Sequence, residues 1–520
     1  MTTAPTTLPR WRRLFQAADA HVVRGASASA IAPLEMSLRL NPRQPAAWRL
    51  ASDLHVAHGD LPAAWAARQQ VGDSLIDLAL AQKALSLRDF VSALAALDRH
   101  LASFPGDVLA LAMQAATLLD LGRPAEAAEI TGVIAARFGD QPHSLIVHAG
   151  ALRACGESEA AAAVLVRCTQ LPGGESAWQA LADIKTYRFS SAESAALEQA
   201  VTDAPENSEE RARLAFALGK AKDDAEDTAA AWASYAEGNA IEARRRNFRL
   251  AESRDYARRC QALFTPEFFA ERDGWGAPTP GPIFIVGLPR SGSTLVEQII
   301  ASHSAIEGLD ERPDLPMLAA SVPAYPEGVA VLDRGDCGRL GEAYRRATAP
   351  RRRTPRPFSV DKTPKNFLHL GFIRLILPAA KIIDVRRHPL DCGVSIFKQH
   401  FGTGFASAFD LGDIGGYYAL YVEMMRSFAA ACPGVVHTVI YEDLVADPDR
   451  QTLLLLKALG LPLEEACLRF FDNPRIADTP SAEQVRKPIT TAGVGAWRRH
   501  EPWLDPLKAA LGPALETWRH

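Results

Sequence analysis

Two structural classes in series are predicted by this 520-residue chain: an all-α solenoid over residues 10–250, then an α/β domain with a parallel sheet and a phosphate loop over 281–520. Residues 251–280 are expected to be the linker. Three observations lead there. The first 250 residues are rich in alanine and leucine, with apolar residues three and four positions apart and almost no strand pattern. A glycine- and proline-rich stretch, GWGAPTPGP (Gly274 to Pro282), follows. After it, short β-branched runs alternate with helical stretches: IFIVG at 283–287, KIIDVR at 381–386 and VVHTVIY at 435–441. Apolar strands separated by helices indicate a parallel sheet covered on both faces, with ligands at the strands' carboxyl ends.

The helical part repeats. Gly122 in LLDLGRPAEAAEI and Gly156 in LRACGESEAAAAV are 34 positions apart; Gly59 lies close to two such periods before Gly122, and Arg88 takes the slot between. Phe104-Pro105, Phe138-Gly139 and Leu171-Pro172 keep the same step and close each second helix. The pattern resembles the tetratricopeptide repeat, strongest from 85 to 170, in which paired helices stack into a curved solenoid. That resemblance implies a concave face able to hold a protein partner. An irregular helical bundle is the alternative.

The α/β part opens with PIFIVGLPRSGSTL (Pro282 to Leu295), read as a strand, a phosphate loop and a helix start. GLPRSGST (Gly287 to Thr294) fits the nucleotide-triphosphatase pattern G-x-x-x-x-G-K-[ST] except that Ser293 stands in the lysine position. The glycines let successive N–H groups and the helix N-terminus converge on an oxyanion. Arg290, Ser291, Gly292, Ser293, Thr294 and Leu295 are the expected phosphate contacts. Loss of the lysine that neutralises β- and γ-phosphates argues against ATP or GTP hydrolysis and against a phosphoryl kinase.

Composition narrows the rest. A 48% hydrophobic, 23% charged chain with formal net charge −4 is expected to be soluble, without global attraction to nucleic acid or anionic membranes. Seven scattered cysteines without C-x-x-C spacing argue against a disulfide framework or zinc site. The N-terminus has no signal-type apolar core and no 18-residue apolar run occurs anywhere, so a cytoplasmic location is expected.

A second cluster makes the pattern specific. VRRHPLDCGVSIFKQHF (Val385 to Phe401) places Arg387 at a strand end and Ser395 eight positions later in a helix. Together with the phosphate loop it resembles sulfotransferases that use 3′-phosphoadenosine 5′-phosphosulfate (PAPS). The resemblance implies that the loop holds the donor's 5′-phosphosulfate and that Arg387 and Ser395 hold its 3′-phosphate. DKTPK (Asp361 to Lys365) resembles the family segment whose lysine, here Lys362, lies by the donor's bridging oxygen. Where small-molecule members carry a histidine base, this chain has Pro364. EGLDERPDL (Glu307 to Leu315) resembles the base-bearing segment of tyrosylprotein sulfotransferases, with Glu311 lying 21 positions after Arg290. Tyr441 resembles a family tyrosine near the nucleotide, although a strand-end aromatic can also be core. SAEQVRKPITTAGVGAW (Ser481 to Trp497) resembles the segment folded over the donor, with Arg486 and Lys487 reaching phosphates and Trp497 packing.

These likenesses imply in-line sulfuryl transfer from PAPS to an acceptor hydroxyl, leaving 3′-phosphoadenosine 5′-phosphate (PAP), with no metal. Glu311 would be the base, with Lys362 and Arg290 stabilising the leaving phosphate. Protein or peptide tyrosine is the favoured acceptor; a glycan, lipid or small molecule is the alternative, and a repeat scaffold with an inactive or regulatory nucleotide domain is another. The arginine run RRATAPRRR (Arg345 to Arg353), in the poorly patterned stretch 316–358, is expected to attract an acidic acceptor.

Overall fold

The computed structural model describes residues 8–71, 75–278, 281–402, 404–473, 475 and 484–520. Thr279, Pro280 and Ser481 to Glu483, included in the sequence readings above, lie outside the described residues. The chain divides into two compact units, Met1–Tyr187 and Arg188–His520.

In the first unit successive helices pack as pairs: Pro45–Ala57 with Leu61–Gln69, Ile76–Ser86 with Phe90–Ser103, Val108–Asp120 with Pro124–Arg137, and Pro142–Ala154 with Ser158–Thr169. Each pair turns through one residue of positive φ: Gly59 (81°), Arg88 (58°), Gly122 (68°) and Gly156 (80°). Arg88 therefore adopts, at a few tenths to a full kcal/mol of strain, the conformation glycine supplies in the other slots. Small residues sit where the paired helices meet, with Ala47, Ala64, Ala81, Ala93, Ala110 and Ala127 buried. Phe104 and Phe138 end their helices, each donating its N–H to the carbonyl four residues back.

The second unit begins earlier than the glycine- and proline-rich stretch suggested. Helix Thr228–Arg246 buries Trp232 and Tyr235 in the same core as Phe397 and Phe409, and Asn239 Nδ2 donates to the Phe397 carbonyl at 2.7 Å. Residues 251–280, expected as linker, hold helices Leu250–Leu263 and Pro266–Glu271, whose Cys260, Phe264 and Phe268 enter that core. Amphipathic spacing, not chain position, decides which unit a helix joins: these helices carry apolar faces that a linker could not leave in water.

Five parallel strands form one sheet: β1 (Pro282–Gly287), β2 (Ile306–Gly308), β3 (Phe358–Asp361), β4 (Lys381–Arg386) and β5 (Val436–Ile440), in the order β2-β3-β1-β4-β5. β1 is central, pairing with β3 and with β4, Ile283 opposite Lys381 through Gly287 opposite Val385. All six of its residues are buried. Phe284 and Val286 face the core that includes Trp232, whereas Ile283 and Ile285 face a second core with Ile299, Leu455 and Leu456. Each such fully buried side chain stabilises the fold by about 1.5–3 kcal/mol. β2 and β3 escaped the sequence reading because they are short and polar, with Glu307, Gly308, Ser359 and Asp361 among their seven residues.

Among the described residues no helix is long and apolar enough to cross a membrane. All seven cysteines are free thiols.

His500 offers a test of the second unit's core. Its ring is 1% exposed, lies 5.3 Å from Trp232, and accepts from Arg499 Nε through Nε2 at 3.2 Å, a bond that requires the neutral imidazole. Burial, with Lys398 and Arg499 nearby, pushes its pKa down to about 4. Because the folded value lies below the unfolded one, this stability is complete above pH 6.5 and is lost as pH falls through 4. His500→Phe keeps an aromatic ring and removes the titration. Between pH 6.5 and 4 the melting midpoint of this variant should fall less than that of the wild type, by about 2–5 °C; identical profiles would exclude the assignment.

Candidate functional site

All five strands end on the same edge, and each delivers part of one cluster. The loop after β1 carries Arg290 to Gly292. Glu311 lies three residues beyond β2, Lys362 directly follows β3, Arg387 directly follows β4, and Tyr441 directly follows β5. A parallel sheet places such residues together whatever their separation in sequence.

The loop itself is held in an uncommon conformation. Arg290 has φ 68° and Gly292 φ 102°, and the chain then enters helix α1 (Ser293–Ala301) without any side-chain cap. An uncapped helix N-terminus directs N–H groups at whatever anion lies in front of it. A Cβ on Gly292 would meet Tyr441 Cδ2 at 2.6 Å, so the loop and the aromatic after β5 fit only with glycine.

Arg387 binds the pieces together. Its Nη1 donates to the Arg290 carbonyl at 3.1 Å, its Nη2 to the Gly493 carbonyl at 2.6 Å, and its guanidinium lies 4.9 Å from the Tyr441 ring centre. Arg290 Nε in turn donates to Ser395 Oγ at 3.1 Å, from helix α2 (Pro389–Phe397). The structure thus brings Arg290, Arg387, Ser395 and Tyr441 together. Two buried polar atoms in this ring, Ser291 Oγ and Arg387 Nε, have no hydrogen-bond partner among the described residues. Orphaned buried polar atoms beside two guanidinium groups and a helix N-terminus are chemically suited to phosphate oxygens. The nearby Cys392 thiol is pushed up to about 12 by burial and is chemically silent at neutral pH.

On the other side of the loop, Lys362 Nζ donates to Glu311 Oε1 at 2.7 Å; the lysine is 1% exposed and the glutamate 56%. Burial works to depress the ammonium's pKa, but Glu311 and Glu297 outweigh it and the value is raised. Lys362 therefore stays charged. Its own segment is fixed by Asp361, a carboxyl that burial pushes up to about 7 and that accepts from Tyr344 Oη at 3.0 Å and Thr363 Oγ1 at 2.7 Å.

Of the remaining expected contacts, Ser293 and Thr294 are buried in the first turn of α1 and Leu295 is half-buried against the second core. Arg486 and Lys487 are exposed, and the turn Gln484–Arg486 packs against α1. Trp497 does pack, stacking on His388 with ring centres 5.9 Å apart. The arginine run is not a loop throughout: helix Arg334–Thr348 includes Arg345, which pairs with Glu342, and the Arg353 N–H donates to Glu307.

Sequence reasoning missed Asp391, whose carboxylate accepts from the backbone N–H groups of Gly495 and Trp497 at 2.7 and 2.9 Å and so fastens the C-terminal segment over Arg387. An acid in the first turn of a helix reads as a dipole partner, which hid this role. It also missed Glu297, although a charge inside the apolar run STLVEQIIA was the available signal. Among the described residues no group of three or more His, Cys, Asp or Glu is placed to hold a metal ion.

Residues 282–465 match the family model described as "Sulfotransferase family". The C-terminal half carries a sulfotransferase-family domain. A protein of Aquifex aeolicus described only as uncharacterized is 32% identical over 311 residues, 57% of this chain and 41% of its own length. Protein-tyrosine sulfotransferase 1 of Danio rerio is 22% identical over 256 residues, covering 44% of this chain and 71% of that protein. Among solved structures, the sulfotransferase domain of the Synechococcus PCC 7002 olefin synthase aligns with TM-score 0.34 and 20% identity, over 44% of this chain and 90% of its own. The match thus spans less than half the length of the Aquifex protein.

The sulfotransferase-family domain makes a packing prediction at its loop. Gly292→Ala should cost about 2 kcal/mol or more in urea unfolding, from the left-handed φ together with the Tyr441 contact. Adding Tyr441→Ala should recover the contact part but not the backbone part, giving a coupling energy above about 0.5 kcal/mol.

Proposed function

We propose that the second unit transfers a sulfuryl group from PAPS to an acceptor hydroxyl. The observation that carries this reading is the pair of orphaned buried donors, Ser291 Oγ and Arg387 Nε, within the ring formed by Arg290, Ser395 and the α1 N-terminus. In this reading PAPS is a substrate. The loop residues Arg290 to Leu295 hold its 5′-phosphosulfate. Arg387 and Ser395, near the aromatic face of Tyr441, hold the 3′-phosphate, and Arg486 and Lys487 add positive charge at the rim. The acceptor oxygen attacks sulfur, the bond from sulfur to the bridging phosphate oxygen breaks, and PAP leaves with that electron pair. Glu311 takes the acceptor's proton, and Lys362 and Arg290 meet the charge that develops on the leaving oxygen. A sulfuryl group carries less charge than a phosphoryl group, so no metal clamp is required.

Protein tyrosine is the acceptor to test first. This rests on the Glu311–Lys362 pair, on the resemblance of the Glu311 segment to the base-bearing one of tyrosylprotein sulfotransferases, and on a protein-tyrosine sulfotransferase among the relatives. The paired helices of the first unit, read as tetratricopeptide-like repeats, would capture the acceptor protein or a partner.

Calorimetric titration tests the donor site. Wild type should bind PAP with micromolar affinity and ADP far more weakly, and Arg387→Ala should lose about 10²-fold toward PAP, as expected for a charge-assisted contact. Equal binding of both nucleotides, or of neither, would refute the reading. With donor bound, Glu311→Ala should lower kcat by about 10²–10⁴-fold on a tyrosine peptide while PAP affinity stays within about threefold.

A further inference from the structure

Glu297 lies on α1, one turn beyond Ser293, and is completely buried. Its Oε1 accepts from the Asp310 backbone N–H at 3.0 Å and from Arg475 Nη2 at 2.7 Å; the same Nη2 reaches Asp310 Oδ1 at 2.6 Å, and Arg475 Nη1 reaches Gln298 Oε1 at 3.2 Å. Asp310 adopts a left-handed φ of 58°, which turns the chain immediately before Glu311. The far side of that turn is fixed as well: the Lys362 N–H donates to the Asp310 carbonyl at 3.0 Å, and the Arg312 N–H to Thr363 Oγ1 at 2.7 Å.

We propose that Glu297 is a positioning residue: with Arg475 it holds the Asp310–Glu311 turn in its strained conformation, and so fixes the Glu311 carboxylate against Lys362 at a set place relative to the phosphate loop. The proposal deepens the sulfuryl-transfer reading and rests on it for its kinetic consequences. A left-handed residue carries about 1–3 kcal/mol of strain that an unsupported surface turn would release by relaxing; here two charge-assisted hydrogen bonds from a buried carboxylate network oppose that relaxation. Because Glu297 belongs to the helix that the phosphate loop starts, the turn that carries the base is tied to the element that anchors the donor.

The charged groups that face Glu297 are Arg475, Asp310 and Lys362. Burial pushes its pKa up to about 7, with Arg475 and Lys362 working against that rise and Asp310 adding to it. Above pH 7 the carboxylate is ionised and grips both donors; below it the grip loosens.

The test uses the full chain. Glu297→Gln keeps the side chain's shape and one acceptor but cannot ionise. Its kcat should fall by about 10–100-fold with donor KM and PAP affinity within about threefold, and the rise of wild-type kcat through pH 7 should disappear. Arg475→Met, which removes the main group holding the Glu297 pKa down, should move that rise to higher pH instead. Hydrogen exchange over residues 308–313 should quicken by about tenfold in Glu297→Ala, with 288–294 unchanged. Unaltered exchange in 308–313 would overturn the proposal whether or not the protein turns over any donor, as would kcat in Glu297→Gln within threefold of wild type. Wild-type protein that binds no PAP would instead remove the sulfuryl-transfer reading and leave the exchange result to judge the turn.

Discussion

The cluster around the glycine loop depends on how one guanidinium is satisfied. Arg387 donates to two backbone carbonyls, those of Arg290 and Gly493, and its face lies over Tyr441. Carbonyls and an aromatic ring hold the cation in place without cancelling its charge. The loop conformation, the C-terminal segment and the aromatic after β5 are therefore fixed around one guanidinium, which the proposed reading leaves to meet an anion. A carboxylate in the same position would have given an equally rigid structure and no anion site. Asp391 shows that difference: it is close in sequence, but spends both oxygens on the N–H groups of Gly495 and Trp497 rather than on Arg387.

The sheet supplies what single contacts cannot. Parallel strands must be covered on both faces, and the alternation along β1 between Phe284 and Val286 on one side and Ile283 and Ile285 on the other meets that demand. With both faces sealed, the carboxyl edge is the place where irregular backbone can emerge, and five short connections place arginine, lysine, glutamate, tyrosine and the glycine loop there. The chemistry is held to the fold by topology more than by any local motif.

How much of this was legible in the sequence follows from the same physics. β1, β4 and β5 showed themselves because buried strands are β-branched and apolar, and the loop because glycine and hydroxyl residues at fixed spacing have few other uses. The pairing of Arg387 with the loop was legible only through the likeness of a whole pattern, since the 97 positions between Arg290 and Arg387 leave no local trace. β2 and β3 were not legible: three- and four-residue strands with polar members carry no periodicity to detect. The helices of 250–271 were misplaced into a linker because the eye follows glycine and proline, whereas Phe264 and Phe268 had already declared an apolar face. The arginine run read as one feature, yet Arg345 is helical and ion-paired while Arg353 contributes a backbone bond, so like charges in sequence are not a surface in space.

Lys362 sits between two carboxylates that the fold treats oppositely. Glu311 is more than half exposed and meets the ammonium directly; Glu297 is sealed in the core and acts on it through the field and through the Asp310 turn. The proposed reaction needs these environments as they are: a sealed Glu311 could not reach an acceptor hydroxyl, and an exposed Glu297 would be too well solvated to hold a strained turn. Two identical side chains acquire different environments from burial alone, one open to solvent beside Lys362, the other closed in the core against the turn at Asp310.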